Sequence, residues 1–117
     1  MKTDNVIIEK SKKFALRIIN LYKFLTNEKS EYILSKQILR SGTSIGANVS
    51  EAMRGYSKAD FYNKLTIALK EASETDYWLD LLHQSEYIDT PSFKSIYADC
   101  QEIIKLLVSI TKTQNDN

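Results

Sequence analysis

The run Ser57-Lys-Ala-Asp60-Phe61-Tyr-Asn-Lys-Leu65-Thr-Ile67-Ala68-Leu-Lys-Glu71-Ala72-Ser-Glu74-Thr75-Asp-Tyr77-Trp78-Leu79-Asp-Leu81-Leu82 decides the fold. Phe61, Leu65, Ala68, Ala72, Thr75, Leu79 and Leu82 recur in alternating steps of four and three. That is the heptad seam of a helix packed along its length against other helices. Ser57 followed by Asp60 has the form of a capping box, in which hydroxyl and acid satisfy exposed N–H groups reciprocally. The third helix is therefore expected over residues 58–86. A second set on it, Ile67, Trp78 and Leu81 flanked by Tyr77, points roughly opposite the seam at 100° per residue. A helix apolar on two sides is buried twice or exposes a patch, and Trp and Tyr in such a patch favour a subunit contact. The alternative is a wide core stripe with a stray Trp.

Upstream, Leu34, Ile38, Ser41, Ile45, Val49 and Ala52 share one face of a second helix, expected over residues 31–54, with Ser30 as N-cap and Gly55 as the stop. Gly42 and Gly46 interrupt it at a cost of about 2 kcal/mol relative to alanines. They lie one turn apart and offer a flat strip to another helix; a loop is the other reading, but the apolar period continues unshifted through them. The first helix, over residues 6–26, carries Ile7, Phe14, Ile18, Leu21 and Leu25 on one face. The fourth, over residues 91–113, starts with Thr90 as N-cap and Pro91 at the first helical position. It repeats Phe93, Ile96, Cys100, Ile103, Leu107 and Ile110 before fraying into Thr113-Gln-Asn-Asp-Asn117. Short connections make successive helices antiparallel neighbours, so the expected fold is all-α, an up-down-up-down four-helix bundle forming one domain over residues 1–117.

Three Gly and one Pro in 117 residues agree with helices throughout. One cysteine excludes an internal disulfide framework, no stretch approaches the roughly 18 apolar residues of a membrane span, and the charged N-terminus lacks a signal-peptide core. A soluble cytoplasmic protein without membrane contact is expected. The net charge of +1 hides an asymmetry. Residues 1–58 hold eleven Lys/Arg against five Asp/Glu, and residues 59–117 hold five against ten. Such halves attract each other between subunits, or present a basic face to nucleic acid, or merely reflect uneven solvated surfaces.

Little here supports catalysis. The single histidine, His83, has no tie in the sequence to Cys100 or to a serine. A di-iron bundle needs Glu-x-x-His on two helices, and Asp80-x-x-His83 occurs once. Cys100 falls on an apolar face. No metal site, cofactor or small-molecule substrate is expected. One polar constellation stands out: folding the third helix back about Tyr56 brings Glu71 and Glu74 near Arg40, Asn48 opposite Lys64 and Leu65, and Glu51 opposite Phe61. Arg40, Asn48, Glu51, Glu71 and Glu74 are read as a structural network that fixes register, with Asn48 at a core position.

The runs Gln37-Ile-Leu-Arg40-Ser41-Gly-Thr-Ser44-Ile45-Gly-Ala-Asn48-Val49-Ser-Glu51-Ala52 and Ile67-Ala68-Leu-Lys-Glu71-Ala72-Ser73-Glu74-Thr-Asp-Tyr77-Trp78-Leu79, with Asp60-Phe61 between them, resemble a known family. It is that of the bacterial four-helix-bundle proteins first noticed as reading frames inside intervening sequences of 23S ribosomal RNA genes; the accessory variability protein of diversity-generating retroelements is similar. The family often has Asn-Ile-Ala-Glu-Gly where this chain has Asn48-Val49-Ser50-Glu51-Ala52, with its glycine delayed to Gly55. The resemblance implies a bundle that assembles as a ring-like homopentamer, without enzymatic activity. For the retroelement relatives it implies a basic surface engaging nucleic acid.

Two functions follow. In the first, RNA or DNA is bound through the basic half, where Lys10, Lys13 and Arg17 share one face of the first helix, Lys12 and Lys23 a neighbouring line, and Lys36 lies on the second helix. In the second, the chain is a protein–protein adaptor or structural oligomer, with the third helix supplying an acidic face and the Trp78 contact.

Overall fold

A computed structural model describes residues 2–115, with side chains described for residues 5–113. Helix α1 spans Lys2–Lys29, α2 Leu34–Ala52, α3 Lys58–Gln84 and α4 Thr90–Asn115, and the described residues contain no strand. The helices pack α1 on α2, α2 on α3 and α3 on α4, and α4 closes against α1; α1 and α3 lie diagonally, their backbones apart. The result is a rod of 46 × 21 × 19 Å, whose long axis matches helices of 26–28 residues at about 1.5 Å rise.

The apolar periods settle inside. Ile7, Phe14, Ile18 and Leu25 of α1, Ile38, Ile45, Val49 and Ala52 of α2, and Ile96, Cys100, Ile103, Leu107 and Ile110 of α4 are buried. On α3, Leu65, Ala68, Ala72, Thr75, Leu79 and Leu82 are buried as the seam requires. In its first turn the roles differ from expectation. Tyr62 is buried and Phe61 half-buried, the two rings meeting edge to face at 5.2 Å.

The glycines of α2 sit inside the helix and serve close packing against α1. A Cβ at Gly42 would lie 2.7 Å from Ile18 Cγ1, and one at Gly46 would lie 3.3 Å from the Ser11 carbonyl oxygen. Buried hydroxyls line the same seam: Thr75 donates to Ser41 at 2.9 Å between α3 and α2.

Helix ends depart most from the sequence reading. Ser30 does not cap α2: it takes φ 51° and ends α1, and Glu31 reaches forward instead, accepting from Ser35 N–H at 2.7 Å and Ile33 N–H at 3.3 Å. A longer carboxylate spans the gap left once α1 runs three residues further than expected. Helix α2 stops at Ala52, before Gly55. Gly55 has no positive φ; it matters because a Cβ there would lie 3.2 Å from Phe61 N at the start of α3. Ser57 caps α3 by accepting from Asp60 N–H at 3.1 Å. Helix α3 ends in a Schellman closure, with Tyr87 N–H on Leu82 O and Glu86 N–H on His83 O, and Glu86 at φ 69°. The cap of α4 is Asp89, not Thr90: its carboxylate accepts from Ser92 N–H at 2.8 Å, which holds it below the usual carboxylate range. Thr90 is thereby freed to meet His83 Nε2 at 3.0 Å. Helix α4 continues to Asn115, past the expected fraying point; Asp116 and Asn117 lie outside the described residues.

Candidate functional site

The six basic residues read as candidates for nucleic-acid contact divide into two sets. Lys10, Lys13 and Arg17 are all held by carboxylates of the same chain. Lys10 Nζ lies 2.7 Å from Glu102, whose carboxylate raises the lysine above its usual range. Arg17 meets Asp99 at 2.7 Å and Ser95 Oγ at 3.1 Å, and Lys13 meets Glu9 one turn back at 3.0 Å. Three of these bonds, Lys10–Glu102, Arg17–Asp99 and Arg17–Ser95, cross from α1 to α4 and tie the first helix to the last. Lys12, Lys23 and Lys36 are exposed and make no ion pair among the described residues. Lys12 and Lys23 share a line with Leu16, opposite the buried Phe14 and Ile18, and Leu16 is 55% exposed.

Between α2 and α3 the polar network gathers around one guanidinium. Arg40 donates to Glu71 at 3.2 Å and to Glu74, and Trp78 Nε1 donates to the same Glu74 oxygen at 2.9 Å. Arg40 is half exposed while Glu71 and Glu74 are partly covered, so the knot is a rim feature and not a core pair. Glu51 pairs with Lys64 at 3.7 Å. Asn48 is not a core residue: it is half-buried and its amide bonds back to Ser44 O at 2.8 Å in its own helix. The close approach permitted by Gly42 and Gly46 leaves the interior to Ile45 and Val49.

Of the four residues assigned to a subunit contact, Tyr77 is 57% and Ile67 40% exposed, whereas Leu81 is half-buried. Trp78 leans onto the bundle core and is tied to Glu74, which makes it the edge of the patch instead of its centre.

Sharing Tyr77 with that patch, a shallow groove of about 560 Å³ between α3 and α4 is lined by Ser73, Asp76, Tyr77, Asp80, Phe93 and Tyr97. Burial raises the Asp76 carboxyl, although Gln101 donates to it at 3.2 Å, and the Asp76 charge in turn raises the Tyr97 phenol. His83 stacks on Phe93 at 4.2 Å, and Phe93 on Tyr97 at 5.0 Å. The sequence reading missed this ladder, although His83, Phe93 and Tyr97 stand at helical spacings on adjacent ends of α3 and α4. It also missed the line Lys94, Lys105 and Lys112, which runs straight along the outer face of α4, exposed and without ion pairs among the described residues.

Nucleophile chemistry finds little purchase. Cys100 is buried, its Sγ lies 3.5 Å from Ala72 O, and burial pushes its thiol up to about 12. His83 is occupied by Thr90 and Phe93. Among the described residues no three His, Cys, Asp or Glu side chains are placed to hold a metal ion, and no helix is long and apolar enough to cross a membrane.

A family described as 23S rRNA-intervening sequence protein matches residues 3–109. A crystal structure at 1.70 Å of a protein with unknown function from the S23 ribosomal protein family of Bacteroides thetaiotaomicron VPI-5482 is similar, with a TM-score of 0.93 and 62% sequence identity. That match covers 94% of this chain and 98% of the other. No curated protein matches the chain.

Proposed function

Because this chain belongs to the 23S rRNA-intervening sequence protein family, we propose that it works as a non-enzymatic homo-oligomer, a structural or adaptor bundle that acts through protein contacts. The ring of five implied by the family resemblance is the assembly this reading adopts. One observation carries it: Lys10, Lys13 and Arg17, the cluster suited to phosphate, are each engaged by a carboxylate of the same chain. A phosphate would have to displace Glu102, Glu9 and Asp99, and the freed acids would then repel it. The exposed Tyr77 and Ile67 on α3 supply the apolar area that a protein contact uses.

A second reading, RNA or DNA binding, is favoured by Lys12, Lys23 and Lys36, which are exposed and make no ion pair among the described residues. Titrating structured ribosomal RNA through a salt series separates the two. The adaptor reading predicts no complex whose affinity falls steeply with salt. Binding that survives Lys10→Gln/Lys13→Gln/Arg17→Gln but is lost, at unchanged oligomer mass, with Lys12→Gln/Lys23→Gln/Lys36→Gln would establish the second reading. Each phosphate contact removed flattens the salt slope, by about 0.9 on B-form duplex DNA and about 0.7 on a single strand.

A further inference from the structure

Resting on the homo-oligomer reading, we propose which two surfaces meet between copies: the outer line Lys12–Leu16–Lys23 on α1 of one copy covers the acidic, aromatic side of α3 around Tyr77 and Asp80 on the next copy.

The two surfaces differ in charge and stand on diagonal helices. Helices α1 and α3 are diagonal across the bundle, and the Leu16 line lies opposite the buried Phe14–Ile18 face, so it points away from α3 of its own chain. Leu16 is 55% and Tyr77 57% exposed, the largest exposures of large apolar side chains among the described residues of these two helices. Unpaired ammonium groups flank Leu16. Around Tyr77 stand Glu74, Asp76 and Asp80; Arg40 satisfies Glu74, while Asp76 is met by the neutral Gln101 and Tyr97 and Asp80 by the neutral Gln84, with no cation paired to either among the described residues. Lys70 on α3 and Lys94 on α4 are exposed nearby and make no ion pair among the described residues.

A twofold contact would set each surface against itself. Two α3 surfaces would bring carboxylates together, and two α1 lines would bring ammonium groups together; like charges facing each other in an interface are unfavourable. One surface set against the other places Leu16 on Tyr77 and Lys12 or Lys23 beside Asp80. Contacts between unlike patches propagate around a ring or along a filament, since every copy retains one free surface of each kind. The charge asymmetry between the two halves of the chain then has two uses: within the subunit at Arg17–Asp99 and Lys10–Glu102, and between subunits at α1 and α3.

The test uses full-length chains with oligomer mass as the readout. Lys12→Glu/Lys23→Glu and Tyr77→Lys/Asp80→Lys, each alone, are expected to be monomers with wild-type helicity. Mixed, they should assemble again, because an intact α1 line then meets an intact α3 surface and the acidic α1 line meets the basic α3 surface. If either variant keeps the wild-type mass, or the mixture stays monomeric while both remain helical, the heterologous pairing is overturned although the oligomer reading stands. A monomeric wild-type chain overturns both. Should a variant lose helicity, Leu16→Gln and Tyr77→Ser replace the charge reversals and must show the same mixing behaviour.

Discussion

Arg17 Nη1 and Asp99 Oδ2 stand 2.7 Å apart although 82 positions separate them in the chain. No connecting turn brings α1 to α4, as turns do for the other neighbours, so this pair and Lys10–Glu102 close the bundle through side chains. Both pairs are about half exposed, which limits what each contributes.

A double-mutant cycle of Arg17→Gln and Asp99→Asn is expected to give a coupling of about 0.5 kcal/mol, read from urea unfolding. The coupling should shrink as salt rises, because an exposed pair is screened. A coupling that persists at high salt would show that the pair is more enclosed than its exposure indicates.

Gly42→Ala should destabilise the fold by about 1–3 kcal/mol, even though alanine favours the helix by about 1 kcal/mol. The new Cβ would fall 2.7 Å from Ile18 Cγ1 and 2.8 Å from Cγ2, with α1 pressed close. Combining it with Ile18→Ala, which removes both atoms, should cost clearly less than the two single effects added together. At Gly46 the nearest foreign atom is 3.3 Å away, and alanine there should cost less than at Gly42.

How much of this was legible in the sequence follows from where the information sits. Period carries the helices and their inward faces: Ile38, Ile45 and Val49, or Ile96, Cys100 and Ile103, announce themselves by spacing alone. The contact of Arg40 with Glu71 and Glu74 follows from folding α3 back on α2 at a short turn. Helix ends are harder, because several nearby side chains compete for the same N–H groups. Glu31 outreaches Ser30, and Asp89 precedes Thr90 by one residue. Charge pairing was hardest. Whether Lys10 and Arg17 face solvent or α4 depends on the rotation of α1 about its axis, and Asp99 and Glu102 settle that only once α4 is placed.

Arg40→Met should destabilise the chain more than Glu71→Gln does, because it leaves two carboxylates close together without a cation. Glu74→Gln keeps an oxygen for Trp78 Nε1, so Trp78 emission should change less in it than in Glu74→Ala. Chemical denaturation followed by tryptophan fluorescence checks both.

Cys100 should resist alkylation at neutral pH and react only on unfolding, since its thiol is pushed up to about 12 from 9.0 by burial. The folded chain retains that proton where the unfolded chain has lost it, so stability should fall as pH rises from about 9 toward 12. Cys100→Ala should remove this part of the alkaline decline, measured as the urea midpoint against pH; an unchanged pH profile would assign the decline to other groups.

The mass of the wild-type chain at micromolar concentration, by sedimentation equilibrium at physiological salt, tests the central claim most directly. The account predicts a multiple of the 13.5 kDa chain mass, with five copies as the expected closed ring. A single species of 13.5 kDa would contradict it.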